Sequence, residues 1–235
     1  MPSGSTSEST RAARNLKVAP ERLERWLANF IARHQTEPAP AAEAFGSSAP
    51  GKGFRYDATA EVVTVLAPDG ARAECHVPFP PLVVDDSLPY GGLVRHANEN
   101  RRVGVVLVRL GGYAAGVFDG RRLVVSKVGS RLVQGRSAAG GWSQQRFARR
   151  REKQAREACK AAADTVAKVV LPRAGGLDAV IVGGDRRAVT QVLDDSRLAP
   201  LRARVVPPHL NVPDPKLAVL QRTPEEFRSV RIVLT

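Results

Sequence analysis

The residues with the most chemistry to offer lie in one short run. Gly140-Gly141-Trp142-Ser143-Gln144-Gln145 sets two glutamine amides just behind a Gly-Gly pair. The run closes a glycine- and serine-rich stretch over 129–143 and opens a basic helical pattern. An amide such as that of Gln144 carries both donor and acceptor atoms. It is a poor general base, so any contribution to rate must come from placement and electrostatics rather than proton abstraction. Gly140 and Gly141 let the backbone pass close to a crowded partner and adopt positive φ where needed. The Gly-x-x-Gln spacing, Gly141 to Gln144, is a weak signal alone. A Gly-Gly pair before a helix is also an ordinary loop, and glutamine in a first helical turn is an ordinary surface residue. Gln145 and Gln134 offer the same group nearby.

Other chemistries fit less well. Cys75-His76 is a possible metal pair, but His34, His96 and His209 are scattered and no second pair stands at ligand spacing, so no zinc site is expected. Cys159 falls near the apolar stripe of a long helix, which reads as a buried thiol. No Gly-x-x-x-x-Gly-Lys-[Ser/Thr] loop is present, so the chain is not a P-loop nucleotide hydrolase. Val182-Gly183-Gly184-Asp185 reads as a tight turn with Asp185 capping the next helix. A two-metal nuclease needs converging carboxylates, whereas Asp119, Asp178 and Asp185 fall at turn or capping positions. No cofactor or metal is implied.

The charge singles out the same region. The 235 residues carry 36 Lys and Arg against 23 Asp and Glu, a net charge of +13 and a pI of about 10.8. Residues 121–160 hold twelve cations (among them Arg131, Arg136, Arg146, Arg149, Arg150, Lys153, Arg156 and Lys160) against Glu152 and Glu157, a net of +10. A solvated helix face is the ordinary meaning of such a run. Beside a glycine-rich loop it also fits a loop tip delivered into a polyanion, with nucleic acid the leading partner. Aromatic residues make up only 5% of the chain, which disfavours base stacking as the main mode of binding. No run of about eighteen apolar residues exists to span a membrane. The polar start is no secretory signal. With two cysteines, a reducing cytoplasm is the simple expectation.

The elements that must position this loop follow from periodicity. Residues 1–18 read as a polar, mobile tail. Leu23, Trp26, Leu27, Phe30 and Ile31 then predict an amphipathic helix over 19–34, opened by Pro20. Residues 35–53 are a Pro/Ala/Ser linker, and the main domain, 54–235, begins near Phe54. Alternation over 61–66 and 72–77 about Pro68-Asp69-Gly70 predicts a hairpin. A short helix fits 93–98. Three apolar runs over 103–110, 113–118 and 123–128 predict a meander. Residues 143–170 predict a long helix with Phe147, Ala155, Ala158, Ala162, Val166 and Val169 on one face. Beyond it, strands over 177–182, 201–206 and 230–234 alternate with helices over 186–194 and 215–220. Asp214 would cap the last of these helices and Pro215 would open it. The class is α/β, a mixed sheet covered by helices.

The segment 127–153 resembles the catalytic segment of the middle domain of archaeal and eukaryotic class I peptide release factors. There a strand leads to a loop bearing Gly-Gly-Gln and a helix beginning Ser-Ala-Leu-Arg-Phe-Ala-Arg. Gly140-Gly141 and Arg146-Phe147-Ala148-Arg149 match without a gap. The ungapped match sets Trp142 where those factors carry glutamine, and Gln144 follows two places later. With this change the chain is similar to the actinobacterial branch of the Vms-like release factors, over roughly residues 60–235. The resemblance implies an RNase H-like mixed sheet and hydrolysis of the ester in peptidyl-tRNA during ribosome rescue or quality control. That reaction needs a placed water and stabilised oxyanion and alkoxide. It implies Gln144 or Gln145, with Gly140 and Gly141, as the catalytic group. Trp142, Arg131, Arg136 and the helix cations would face RNA. The expected partners are peptidyl-tRNA and the large ribosomal subunit with its rRNA, met by a monomer away from membranes. Two alternatives stay open: a tRNA 3′-end (CCA) endonuclease of the same family, and a non-catalytic ribosome- or RNA-binding module.

Overall fold

The structure, a computed structural model, describes residues 13–35, 53–109, 111–131 and 143–235, with side chains of the last segment from Arg149 onward. The chain divides into two compact units, Met1–Asn98 with Arg228–Thr235, and Glu99–Phe227. The sequence predicts one main domain over 54–235 preceded by a separate helix. The difference arises because the last strand returns to the first unit, a long-range pairing that local periodicity cannot register.

In the first unit, β1 (Arg14–Val18), β2 (Arg55–Ala58), β3 (Val62–Leu66), β4 (Arg72–His76) and β9 (Val230–Leu234) form an antiparallel sheet in the order β1-β9-β4-β3-β2. The expected tail over 1–18 therefore ends in a strand, with Lys17 opposite Arg231 and Val18 opposite Val230. Asn15 to Val18 alternate polar and apolar over four residues only, the shortest run that can signal a strand. The helix α1 (Pro20–His34) buries Leu23, Leu27 and Phe30 with Val63, Val65, Cys75, Val230 and Ile232 in one core. Its apolar stripe is thus consumed within the chain. The hairpin of β3 and β4 has the predicted turn, where Asp69 accepts a hydrogen bond from the Ala71 amide and pairs with His34 at 2.7 Å. The short helix α2 spans Leu93–Asn98.

The second unit is built on a four-stranded sheet in the order β7-β6-β5-β8. β5 (Arg102–Arg109), β6 (Gly112–Asp119) and β7 (Arg122–Ser130) form the predicted meander, and β8 (Ala179–Gly184) lies parallel to β5. The sheet is mixed, as predicted. Alternate residues of β6 face opposite sides. Ala115 and Val117 share a core with Ala162 and Val166 of α3 (Ser143–Val169). Phe118 meets Phe227 of α6 (Leu217–Phe227) edge-on at 5.8 Å on the other side. A strand covered on both faces reads as a continuous apolar run, which β5 and β8 do.

Two predicted elements differ. Residues 201–206 are not a strand. Pro200 opens a helical turn, α5 (Ala199–Arg202), after α4 (Arg186–Leu193). The chain then pairs with β8 through single parallel bridges at Val205 and Leu210, and His209 Nε2 lies 3.0 Å from the Gly184 carbonyl. Pro207 and Pro208, which lack N–H donors, lie between the bridges and interrupt a ladder. The last helix starts at Leu217 rather than Pro215 and runs through Pro224 to Phe227. Pro224 leaves the Leu220 carbonyl without its usual helical donor. The Thr223 hydroxyl donates to that carbonyl at 2.7 Å instead.

Candidate functional site

β7 and α3 flank the Gly-Gly segment, and α3 carries the two glutamines. β7 is an edge strand of its sheet. At its end the Arg131 amide donates to the Gly111 carbonyl at 2.6 Å, which ties the loop's entry to the β5–β6 turn. α3 begins at Ser143, so Gln144 and Gln145 occupy its first turn, with Arg146 next. Arg136, Gly140, Gly141 and Trp142 lie outside the described residues.

Past the first two turns α3 has two faces. Ala158, Cys159, Ala162, Val166 and Val169 are buried against the sheet, with Thr165 buried among them. Ala155 is half-buried. Arg149, Arg150, Lys153, Arg156 and Lys160 are exposed. Four of them recur at helical spacing, from Arg149 through Lys153 and Arg156 to Lys160, and span about 17 Å along the axis. Among the described residues, these five have no ion-pair partner. The cationic row is therefore open to a polyanion. Arg197 fastens the far end of the helix: its Nη2 lies 2.8 Å from Asp164 and 2.7 Å from Asp195. The bond to Arg197 holds the Asp195 carboxyl down at about 2.

The +10 window does not fold into one patch. β7 spans Arg122–Ser130, so Arg121 and Arg122 sit about 26 Å from the loop's entry. Arg122 lies 3.6 Å from Asp119 there. What gathers near the loop is Arg131 and the row on α3.

The remaining candidate groups have structural employment. Cys75 points into the core of the first unit, and burial pushes its thiol up to about 12, while His76 faces the opposite side of the same strand. The two cannot share a ligand. Burial, then the Asp185 charge, raises the Cys159 thiol, so it stays protonated rather than acting as a nucleophile. Asp178 accepts from the Arg102 amide at 2.7 Å and Asp119 accepts from Asn100 at 2.7 Å. Asp185 caps α4 by accepting from the Ala188 amide at 2.8 Å, as its place after Gly183-Gly184 predicts. Gly184 has φ +96°, and a β-carbon there would fall on the Val108 carbonyl.

Sequence reasoning missed one feature of this unit. At the carboxyl ends of β5 and β8 a cleft of about 200 Å³ opens beneath α3. Arg109, Tyr113, Asp185, Arg187 and Gln191 line it. Gly111-Gly112 and Gly183-Gly184 register in the sequence only as turns. That both turns end at one place depends on the parallel pairing of β5 with β8.

A family model for the Actinobacteria/chloroflexi VLRF1 release factor matches residues 101–233, more than half of the chain. The chain belongs to this family. The match spans β5 through β9 and contains the whole loop and α3. It places this VLRF1-family chain among release-factor-like proteins of translation. No curated protein matches it. Among solved structures, an archaeal protein aligns at 19% identity with a TM-score of 0.37, covering 67% of this chain and 48% of its own. The archaeal translation termination factor aRF1 aligns at 15% identity with a TM-score of 0.39, covering 91% of this chain and 64% of its own. The VLRF1-family chain thus spans about half to two thirds of the length of these two proteins.

Proposed function

We propose that this protein hydrolyses the ester of peptidyl-tRNA and so frees nascent peptides on stalled ribosomes. The observation that carries the reading is membership of a release-factor family over the segment that holds Gly141-Trp142-Ser143-Gln144 and the exposed cationic row of α3. Gln144 is the positioned amide and Gln145 its neighbouring alternative. Their donor and acceptor atoms orient a water and meet the developing oxyanion, while ribosome and tRNA supply further groups. Gly140 and Gly141 admit the backbone beside the tRNA end. Arg131, Arg149, Lys153, Arg156 and Lys160 grip phosphates, with Arg136, Trp142, Arg146 and Arg150 as further RNA contacts.

The deciding experiment follows labelled peptidyl-tRNA, free and ribosome-bound, with the wild type, Gln144→Ala and Gln145→Ala. Peptide release that leaves the tRNA 3′ end intact supports ester hydrolysis. A shortened tRNA identifies strand cleavage instead, and binding without turnover identifies a non-catalytic module.

A further inference from the structure

The cleft under α3 is a built space rather than a packing flaw. β5 and β8 run parallel to Val108 and Gly184 and then part. β5 turns back into β6 through Gly111-Gly112, while β8 leads into α4. Ligands of open α/β sheets settle in crevices of this kind, outside the carboxyl ends of parallel strands. The walls stay open because small residues line them: Gly111, Gly112, Ala155, Ala158 and Ala188.

Size and polarity restrict the occupant. At about 200 Å³ the cleft lies below the range of roughly 300–1,000 Å³ usual for larger ligands, so it suits one ring rather than a dinucleotide. Two cations, Arg109 and Arg187, stand against one carboxylate, Asp185. One Arg109 nitrogen donates to the Val212 carbonyl at 2.7 Å, which fixes the guanidinium and leaves its other N–H groups for an anion. Asp185 uses one oxygen, Oδ1, to cap α4. The other can accept from an exocyclic amino group, and the Gln191 amide can donate and accept along a base edge. Tyr113 adds an aromatic wall. Cationic groups for a phosphate, an apolar slot for a ring and a mixed polar rim for its edge are the parts a nucleotide needs.

Resting on the function proposed above, we infer that the cleft receives one unpaired nucleotide of the RNA strand on which the loop acts. Gln144 precedes Ala155 by eleven residues on the same helix, about 17 Å along the axis. The bound nucleotide is therefore a neighbour of the reacting end rather than the reacting end itself. Its role is to fix the strand's register.

The test measures binding to the full chain by ligand-observed NMR, using adenosine 5′-monophosphate, adenosine, inorganic phosphate and a single-stranded trinucleotide. The monophosphate should bind saturably, phosphate at least about tenfold more weakly and the trinucleotide more tightly than either. Ala155→Leu fills the cleft and should weaken both nucleotide ligands by about tenfold or more with an unchanged circular dichroism spectrum. Gln191→Trp blocks the cleft from an exposed position, so a packing defect in α3 cannot explain both results. Arg187→Gln should weaken the monophosphate but not adenosine. Absence of saturable binding, phosphate binding as tightly as the nucleotide, or indifference to both blocking variants overturns the inference. Peptidyl-tRNA hydrolysis without nucleotide binding removes the cleft and leaves the hydrolytic reading. Nucleotide binding without hydrolysis does the reverse.

Discussion

The ring of Tyr113 occupies the space that a side chain on Gly129 would need. The two residues are directly paired between β6 and β7, and a β-carbon on Gly129 would lie 2.6 Å from Cε2, Cζ and Oη of the ring. A glycine in an edge strand ordinarily weakens it, and an aromatic cross-strand neighbour laid over the glycine offsets that loss. The pair stands one residue from the end of β7, where the loop departs, and Tyr113 also lines the cleft.

Gly129→Ala is expected to displace the ring and cost about 1 kcal/mol of stability. The cost should disappear when the substitution is made in a Tyr113→Ala background, because the clash has then been removed. A double-mutant cycle in urea measures this coupling. Additive effects would show that the ring swings aside freely.

Gln144→Ala is expected to slow ester hydrolysis by about 100-fold or more, the usual cost of removing one preorganised donor. Gln145→Ala should matter much less if Gln144 is the positioned amide. Single-turnover release from ribosomes programmed with labelled peptidyl-tRNA provides the rates. Equal rates for both variants and the wild type would sink the glutamine mechanism.

Neutralising Arg149, Lys153 and Arg156 together should weaken RNA or ribosome binding and flatten its dependence on salt. Each lost phosphate contact reduces the slope of log K against log salt by about 0.7–0.9. Affinities measured at several salt concentrations give the slope directly. Arg121→Gln with Arg122→Gln is the matched control, since those cations sit about 26 Å from the loop's entry along β7. A slope that ignores the α3 substitutions would return the row to a solubility feature.

His76 should titrate below its ordinary value near 6.5. Burial disfavours the imidazolium, and so does Arg231, whose Nη2 lies 2.9 Å from Nε2 and 3.1 Å from Nδ1. A depressed folded-state pKa means that the contribution to stability is present above about 6.5 and is lost as pH falls through the folded value. Arg231→Gln should raise the His76 midpoint and soften that loss. NMR titration of the ring protons reads the midpoint, and a fall in it would contradict the assignment of cause.

Gly184→Ala should destabilise the second unit by about 2–4 kcal/mol, because φ is +96° there and the new carbon would strike the Val108 carbonyl. Asp185→Ala removes only the α4 cap and should cost about 1 kcal/mol. Urea midpoints of the two variants give the comparison. The reverse order would mean that the cap, not the glycine, holds the ends of β5 and β8 together.

Much of the fold is legible in local pattern. Pro20, with Leu23, Leu27 and Phe30, announces α1 because burial on one side of a helix repeats every three to four residues. Pro68-Asp69-Gly70 marks its hairpin, and Asp119-Gly120 separates β6 from β7. Ser143 to Val169 reads as a helix with one apolar and one cationic face. The Arg-Phe-Ala-Arg start of that helix, behind Gly140-Gly141, carries the family in the residues themselves. All these signals lie within one turn, one helix or one hairpin.

What local pattern could not carry is pairing at a distance. Nothing in Arg14–Val18 announces that it will lie beside Val230–Leu234, more than two hundred residues away, and so turn the end of an expected tail into a strand and divide one expected domain into two units. The twelve cations of one sequence window separate because an extended strand moves Arg122 far from Arg131. The cleft exists only because β5 and β8 align in parallel and bring Arg109, Asp185 and Arg187 to one edge. Residue types and spacing therefore determined the elements and the chemistry available to them. Tertiary structure decided which of those groups meet, because the hydrogen bonds that join distant strands leave no period in the chain.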